Sequence, residues 1–279
     1  MTTNAMRTLL TGCGLVESPR WHDERLYFSD WSAGEVLAVD LAGHSEVIAR
    51  VKSLPLCTAW LPDGGLLIVS SFDGLLLRRE PDGTLVIYAD LGRPSWNDIV
   101  ADGRGNAYVN RAGFNPMAGE EFRPGFVALV TPGGEVRDVA DDIAFPNGMA
   151  VTPDNATLIV ADSYRHSLVA FDIGTDGGLS NRRVWADLGT GTPDGICVDA
   201  EGAVWYADVP NKRCVRVAEG GTVRQTVELD RGGFACALGG TTLFVVAAEW
   251  QGMTESEPVR PGSGQVLAVD VEVPGAGWP

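Results

Sequence analysis

Four side chains that carry oxygen donors stand at the start of short apolar stretches in this chain. They are Glu17 in Glu-Ser-Pro-Arg-Trp, Asn97 in Asn-Asp-Ile-Val-Ala, Asn147 in Asn-Gly-Met-Ala-Val and Asp194 in Asp-Gly-Ile-Cys-Val. Brought together, the two carboxylates would repel one another, and a divalent cation resolves that conflict. Oxygen-only ligation suits hard or borderline ions at about 2.0–2.6 Å. Ca²⁺ is therefore expected first, with Mg²⁺, Mn²⁺, Zn²⁺ or Fe²⁺ as alternatives. No histidine falls at an equivalent place, so the common His-based zinc site is not indicated. Asn, Asp and Gly are also turn formers. The hairpin turns, however, lie about five residues further on, at Asp102, Pro153-Asp154 and Asp199, which leaves Asp194 in the wrong place to be only a turn.

A repeat in the chain would make these residues equivalent points and bring them together. Six segments align, beginning at Glu17, Cys57, Asn97, Asn147, Asp194 and Gly233. After each come a tight turn and an apolar run such as Leu66-Leu-Ile-Val or Leu158-Ile-Val, and then a third run such as Leu168-Val-Ala-Phe. Outer runs read as Glu46-Val-Ile-Ala and Arg183-Val-Trp-Ala. Four short strands every ~40 to 50 residues are the signature of a propeller blade. The expected fold is all-β, a six-bladed β-propeller spanning 1–279 as one domain, with a metal site in its central channel. The sixth repeat lacks an outer strand of its own, and Arg7-Thr-Leu-Leu is expected to fill that place. Equivalent residues at the start of each innermost strand then face one another across the channel. Two insertions, 110–125 and 249–262, read as either lids or surface excursions.

The chain has 279 residues, 35 of them Gly and 16 Pro, with 45% hydrophobic residues and a net charge of −16. That composition supplies a core and many turns. The acidic balance argues against nucleic acid, whose phosphates need clustered Lys and Arg, and against anionic membranes. The expected partner is a small-molecule substrate; oligomeric state is not legible. Five cysteines without a Cys-x-x-Cys pair, and no secretory core near the start, suggest reduced thiols and a cytoplasmic location. No Gly-x-Ser-x-Gly elbow appears, and no histidine is placed to activate Cys57 or Cys236 as a nucleophile.

Glu17-Ser-Pro-Arg-Trp, Asn97-Asp, Phe145-Pro-Asn147-Gly and Pro193-Asp194-Gly195 resemble, in order, the motifs of the senescence marker protein (regucalcin)/gluconolactonase/luciferin-regenerating-enzyme-like family. The resemblance covers almost the whole chain. It implies a six-bladed propeller, one divalent metal and hydrolysis of lactones. Glu17, Asn147 and Asp194 would be metal ligands. Asn97 would sit beside the metal and contact substrate or a water on the ion. Asp194 would also be the catalytic residue, as general base or as direct nucleophile. Both roles fit a metal that polarises an ester carbonyl.

One departure concerns the substrate. Sugar-lactonase members generally carry an Arg two residues before Asn97, to bind substrate hydroxyls, whereas here that place is Ser95, followed by Trp96. The pocket is thereby tilted toward a less polar ring than a sugar lactone. Ser95, Trp96, Asn97 and Phe114 are the expected substrate contacts. Cys57, Trp60, Cys236 and Trp250 are further candidates for the pocket wall, and Arg93 could reach in from further away. Two other readings stand beside the lactonase: a non-enzymatic propeller that binds calcium or a small ligand, and a metal-dependent phosphotriester hydrolase.

Overall fold

The computed structural model describes residues 5–115, 118–252, 255 and 257–277. A first strand, β1 (Arg7–Cys13), precedes five quartets and a final trio. The quartets are β2–β5 (Val16–His22, Arg25–Asp30, Glu35–Val39, Ser45–Arg50) and β6–β9 (Thr58–Trp60, Leu66–Ser70, Leu75–Arg79, Leu85–Asp90). Then come β10–β13 (Ile99–Ala101, Ala107–Arg111, Gly125–Val130, Val136–Ile143) and β14–β17 (Pro146–Val151, Thr157–Asp162, Ser167–Ile173, Leu179–Asp187). The last quartet is β18–β21 (Pro193–Val198, Val204–Asp208, Arg213–Val217, Val223–Glu228), followed by β22–β24 (Gly232–Gly239, Thr242–Ala248, Gly264–Asp270). Each quartet is a four-stranded antiparallel sheet in chain order, and β1 pairs with β24 to complete the sixth. The fold is a six-bladed β-propeller. A 3₁₀ turn lies at Ser163–Arg165, between β15 and β16. Among the described residues no helix is long and apolar enough to cross a membrane.

Side chains alternate between the two faces of a strand, and here both faces are buried. Ile99, Ala101, Ala107 and Val109 pack toward the second blade, whereas Val100 and Tyr108 pack toward the fourth. The same division recurs around the ring. Val36 meets Leu66 and Ile68, Ile159 meets Ile196 and Val204, and Trp205 meets Leu243 and Val245. Phe28 and Val16 of the first blade meet Phe244 and Val266 of the sixth, which closes the circle. Each buried Val, Leu, Ile or Phe in these seams contributes about 1.5–3 kcal/mol. The outer strands are the exposed ones, as the alternating pattern of β21 shows.

The turn from β2 to β3 has positive φ at both Asp23 and Glu24. A two-residue type I′ hairpin demands that geometry. All five cysteines are free thiols.

Candidate metal and substrate site

The first blade shows how a strand delivers a candidate ligand. The pairing of β2 with β3 slips between Glu17 and Arg20. The same shift falls between Pro146 and Met149 in the fourth blade and between Pro193 and Ile196 in the fifth. A bulge re-aims the side chains around it, and at these three places it carries Glu17, Asn147 and Asp194 to the channel. The glycine after Asn147 and the one after Asp194 each have a packing reason. A Cβ on Gly148 would lie 2.5 Å from Asp194 O, and one on Gly195 would lie 2.1 Å from Ala235 Cβ.

Glu17, Asn97, Asn147 and Asp194 line one cavity of about 470 Å³ at one end of the channel, and Ser95 and Phe114 stand on its wall. Hydrogen bonds stitch the floor. Asn97 Nδ2 donates to Asn147 Oδ1 (3.3 Å), and Asn147 Nδ2 to Ser163 Oγ (3.4 Å). Ser163 Oγ donates to Pro193 O (2.7 Å), which ties the fourth blade to the residue before Asp194. Glu17 Oε2 accepts from the Ser18 backbone N–H at 2.9 Å. Ser18 lies in the left-handed region (φ 54), and its Oγ accepts from Thr58 N at 2.8 Å.

Beneath this floor lies an ion pair. Arg20 Nη2 contacts Asp98 Oδ1 at 3.2 Å, both side chains nearly buried, and donates to Ile99 O at 2.7 Å. Asp98 Oδ2 accepts from Met149 N at 2.8 Å. The motifs Ser-Pro-Arg20 and Asn-Asp98 contained both residues, but only folding shows that they meet.

Burial pushes the Glu17 carboxyl up from 4.5 to about 8, and the Asp98 charge adds to the effect against the opposing Ser18 N–H and Arg20. Burial, followed by the charges of Glu17 and Asp98, also holds Asp194 well above the ordinary carboxylate range. Desolvation and like charge both penalise the ionised forms. A cation between the two carboxylates would relieve the same penalty. The fit is supported by Asp194 Oδ1, which is buried with no hydrogen-bond partner. Groups like it are rare and call for a ligand or ion. Among the described residues no three His, Cys, Asp or Glu side chains converge as ligands, so a cation here would have to draw on two carboxylates completed by amides.

Corrections apply to the expected walls. Trp96 does not line the cavity. Its indole is fully buried in the seam between blades two and three, with Nε1 donating to Arg93 O (2.7 Å) and its ring edge-on to Phe126 at 5.5 Å. Ser95, at φ 72, turns the chain so that its own side chain faces the cavity and the next is carried into the core. Arg93 is held away by Asp138, at 2.6 and 2.8 Å, and by the Phe126 ring. Trp60 stacks on His22 at 3.8 Å. Cys57 sits in a small void below the floor, and Cys236 faces the opposite end of the channel. Trp250 does line the cavity, edge-on to Phe234.

Sequence reasoning did not assign most of the wall. Phe145 stacks on Tyr164 at 4.7 Å, and Phe114 meets both at 6.0 Å. Leu54, Phe72 and Trp31 add to the apolar lining, and no Lys or Arg is among the described lining residues. Phe114 lies in the 110–125 insertion and Trp250 in the 249–262 insertion, so both contribute wall. Pro116, Met117, Met253, Thr254 and Ser256, within those insertions, lie outside the described residues.

The fold and this channel floor define a propeller of the SMP-30/Gluconolactonase/LRE-like type. The chain belongs to that family, whose characteristic region it matches over residues 15–249. It is 30% identical to the 6-deoxy-6-sulfogluconolactonase of Pseudomonas putida over 284 aligned positions, covering 95% of this chain and 94% of the other. A solved luciferin-regenerating enzyme superposes with a TM-score of 0.82 at 19% identity, over 98% of this chain and 97% of that one. The calcium-binding protein regucalcin from Agrobacterium tumefaciens does so with a TM-score of 0.81 at 23% identity, over 99% and 97%.

Proposed function

We propose that the protein is a divalent-metal-dependent lactonase acting on a neutral, largely apolar lactone. The observation that carries this reading is the contrast within one cavity, with two carboxylates and two amides on its floor and aromatic and aliphatic walls on which no described residue is cationic. The relatives' lactonase names support the reaction class.

Glu17, Asn147 and Asp194 would hold the ion, Ca²⁺ by its oxygen donors, with Asn97 beside it. When bound, the ion supplies Lewis-acid polarisation of the ester carbonyl. The protein's own groups do the rest. The partnerless Asp194 Oδ1 suits ligation, which leaves its second oxygen to take the proton from the attacking water. The amides of Asn97 and Asn147 hold each other in place and orient the lactone oxygens. The apolar wall receives the ring substituent and limits competing water. Ser95 offers a hydroxyl where a sugar acid lactone or a sulfonated one would need a cation.

The test is hydrolysis of aliphatic, aromatic and sugar lactones by calcium-loaded protein, with Asp194→Ala as control. Turnover of an alkyl- or aryl-substituted lactone that is lost in the variant supports the reading. Equal, slow hydrolysis of every substrate by both proteins contradicts it.

A further inference from the structure

The opposite end of the channel holds a second cavity of about 210 Å³, bordered by Arg20, Trp21, Met149 and Leu238. Two thiols, Cys197 on β18 and Cys236 on β22, stand on its wall. Their sulfurs are 3.8 Å apart. Cys197 is partly exposed, whereas Cys236 is buried with Gly195 O and Trp205 O as alternative acceptors for its S–H at 3.7 and 3.6 Å. A third thiol, Cys214, is fully buried and does not reach the cavity wall. The proposed hydrolysis uses none of the three.

We propose that Cys197 and Cys236 form an oxidisable dithiol, a modification site that a peroxide converts to a disulfide between the fifth and sixth blades. Cys197 is the accessible member. Its sulfur attacks one peroxide oxygen, the O–O bond breaks, and a sulfenic acid and one water result. Cys236 Sγ then attacks the sulfenic sulfur, the S–S bond forms and a second water leaves. In sum, two thiols lose two electrons and two hydrogens, and the peroxide is reduced to two waters. The sulfurs must close from 3.8 Å to ~2.05 Å. The strands carrying them already run in contact, since a Cβ on Gly195 would meet Ala235 Cβ at 2.1 Å. The bond would staple two blades and remove the thiol donor to Gly195 O, beside Asp194. The inference does not depend on the lactonase reading.

The experiment exposes the intact reduced protein to hydrogen peroxide, alkylates the remaining thiols after unfolding, and maps peptides without reduction. The expected product is a Cys197–Cys236 cross-linked peptide pair, lighter by two hydrogens and released by dithiothreitol, with Cys13, Cys57 and Cys214 alkylated. A rise of several degrees in Tm accompanies it. Cys197→Ser and Cys236→Ser lose the cross-link, and Cys214→Ser keeps it. Sulfinic acid at Cys197 without a cross-link, a cross-link through Cys214, or thiols that survive while a free peptide thiol is consumed would each overturn the proposal. Mapping of the unsubstituted protein decides even if a variant does not fold.

Discussion

Blades one, four and five differ from blades two, three and six at the same point of the repeat. In the first group the second strand ends in a buried aspartate: Asp30, Asp162 or Asp208. Each of these carboxylates grips the backbone just ahead of the bulge that bears a candidate ligand. Asp30 Oδ2 accepts from Gly14 N at 2.8 Å. Asp162 accepts from Ala144 N at 2.9 Å and Phe145 N at 3.0 Å, and Asp208 from Thr192 N at 3.3 Å. These are the blades that carry Glu17, Asn147 and Asp194. The sixth blade has the register shift too, between Gly233 and Ala235, yet it presents Gly233 at the ring and has Ala248 where an aspartate would stand. In the second blade Ser70 turns instead to Asp73. The third blade brings in Asn97 by another route, through its backbone N–H to Asn110 O at 2.8 Å. A sixfold frame thus supplies six equivalent places, and a local device repeated three times turns three of them into candidate ligands.

The largest expected effect is at the site itself. Asp194→Asn keeps the shape but removes the base, and kcat for the best lactone is expected to fall about 10²- to 10⁴-fold in steady-state assays. The comparison of blades is tested by Asp162→Ala or Asp208→Ala. Asp162→Ala strands the Ala144 and Phe145 N–H groups and Asp208→Ala that of Thr192, at about 1–3 kcal/mol for each that is buried. Loss of the support behind a candidate ligand is expected to lower metal affinity by about 10- to 100-fold. Ser70→Ala, at the matching place of a blade without a ligand, is expected to cost no more than about 1 kcal/mol and leave calcium affinity unchanged. Urea unfolding and calcium titration read both quantities. Equal effects in the two sets of blades would break the comparison.

The pH dependence of the metal-free protein is a further expected effect. With Glu17 raised to about 8, the folded protein keeps a proton that the unfolded chain releases above 4.5. Across that window the unfolded state binds fewer protons, so stability falls as pH rises. Calcium displaces the proton, so its affinity rises with pH through the same window and the loss of stability disappears in its presence. Urea midpoints at several pH values, with chelator and with calcium, check the sign. Smallest of all, Phe145→Ala is expected to raise KM for an aryl lactone about tenfold with little change in kcat, because the stacked wall binds the substrate and does not react.

The propeller was legible because apolar runs, Gly-containing turns and period recur together. The ring position was legible because Glu17, Asn97, Asn147 and Asp194 are polar where a packed repeat favours small or apolar residues. The supports were not. Asp30, Asp162 and Asp208 look in sequence like any strand-end aspartate, such as Asp40 or Asp172, until their bonds to a preceding segment are seen. Arg20 and Asp98 sit far apart in the chain and gain meaning only as a pair. Trp96 was misplaced because the left-handed turn at Ser95 (φ 72), which the sequence does not announce, puts Ser95 on the cavity side and carries the next side chain into the core. Phe145 and Tyr164 face the cavity only because the chain path stacks them there.

The central claim, that Glu17, Asn147 and Asp194 converge on one divalent ion, is tested most directly by crystals soaked in Mn²⁺ and measured for anomalous scattering. The account predicts a single peak at the channel floor, within about 2.0–2.6 Å of oxygens from all three side chains, that is absent in Asp194→Ala. No peak at saturating metal, or one away from these residues, would contradict it.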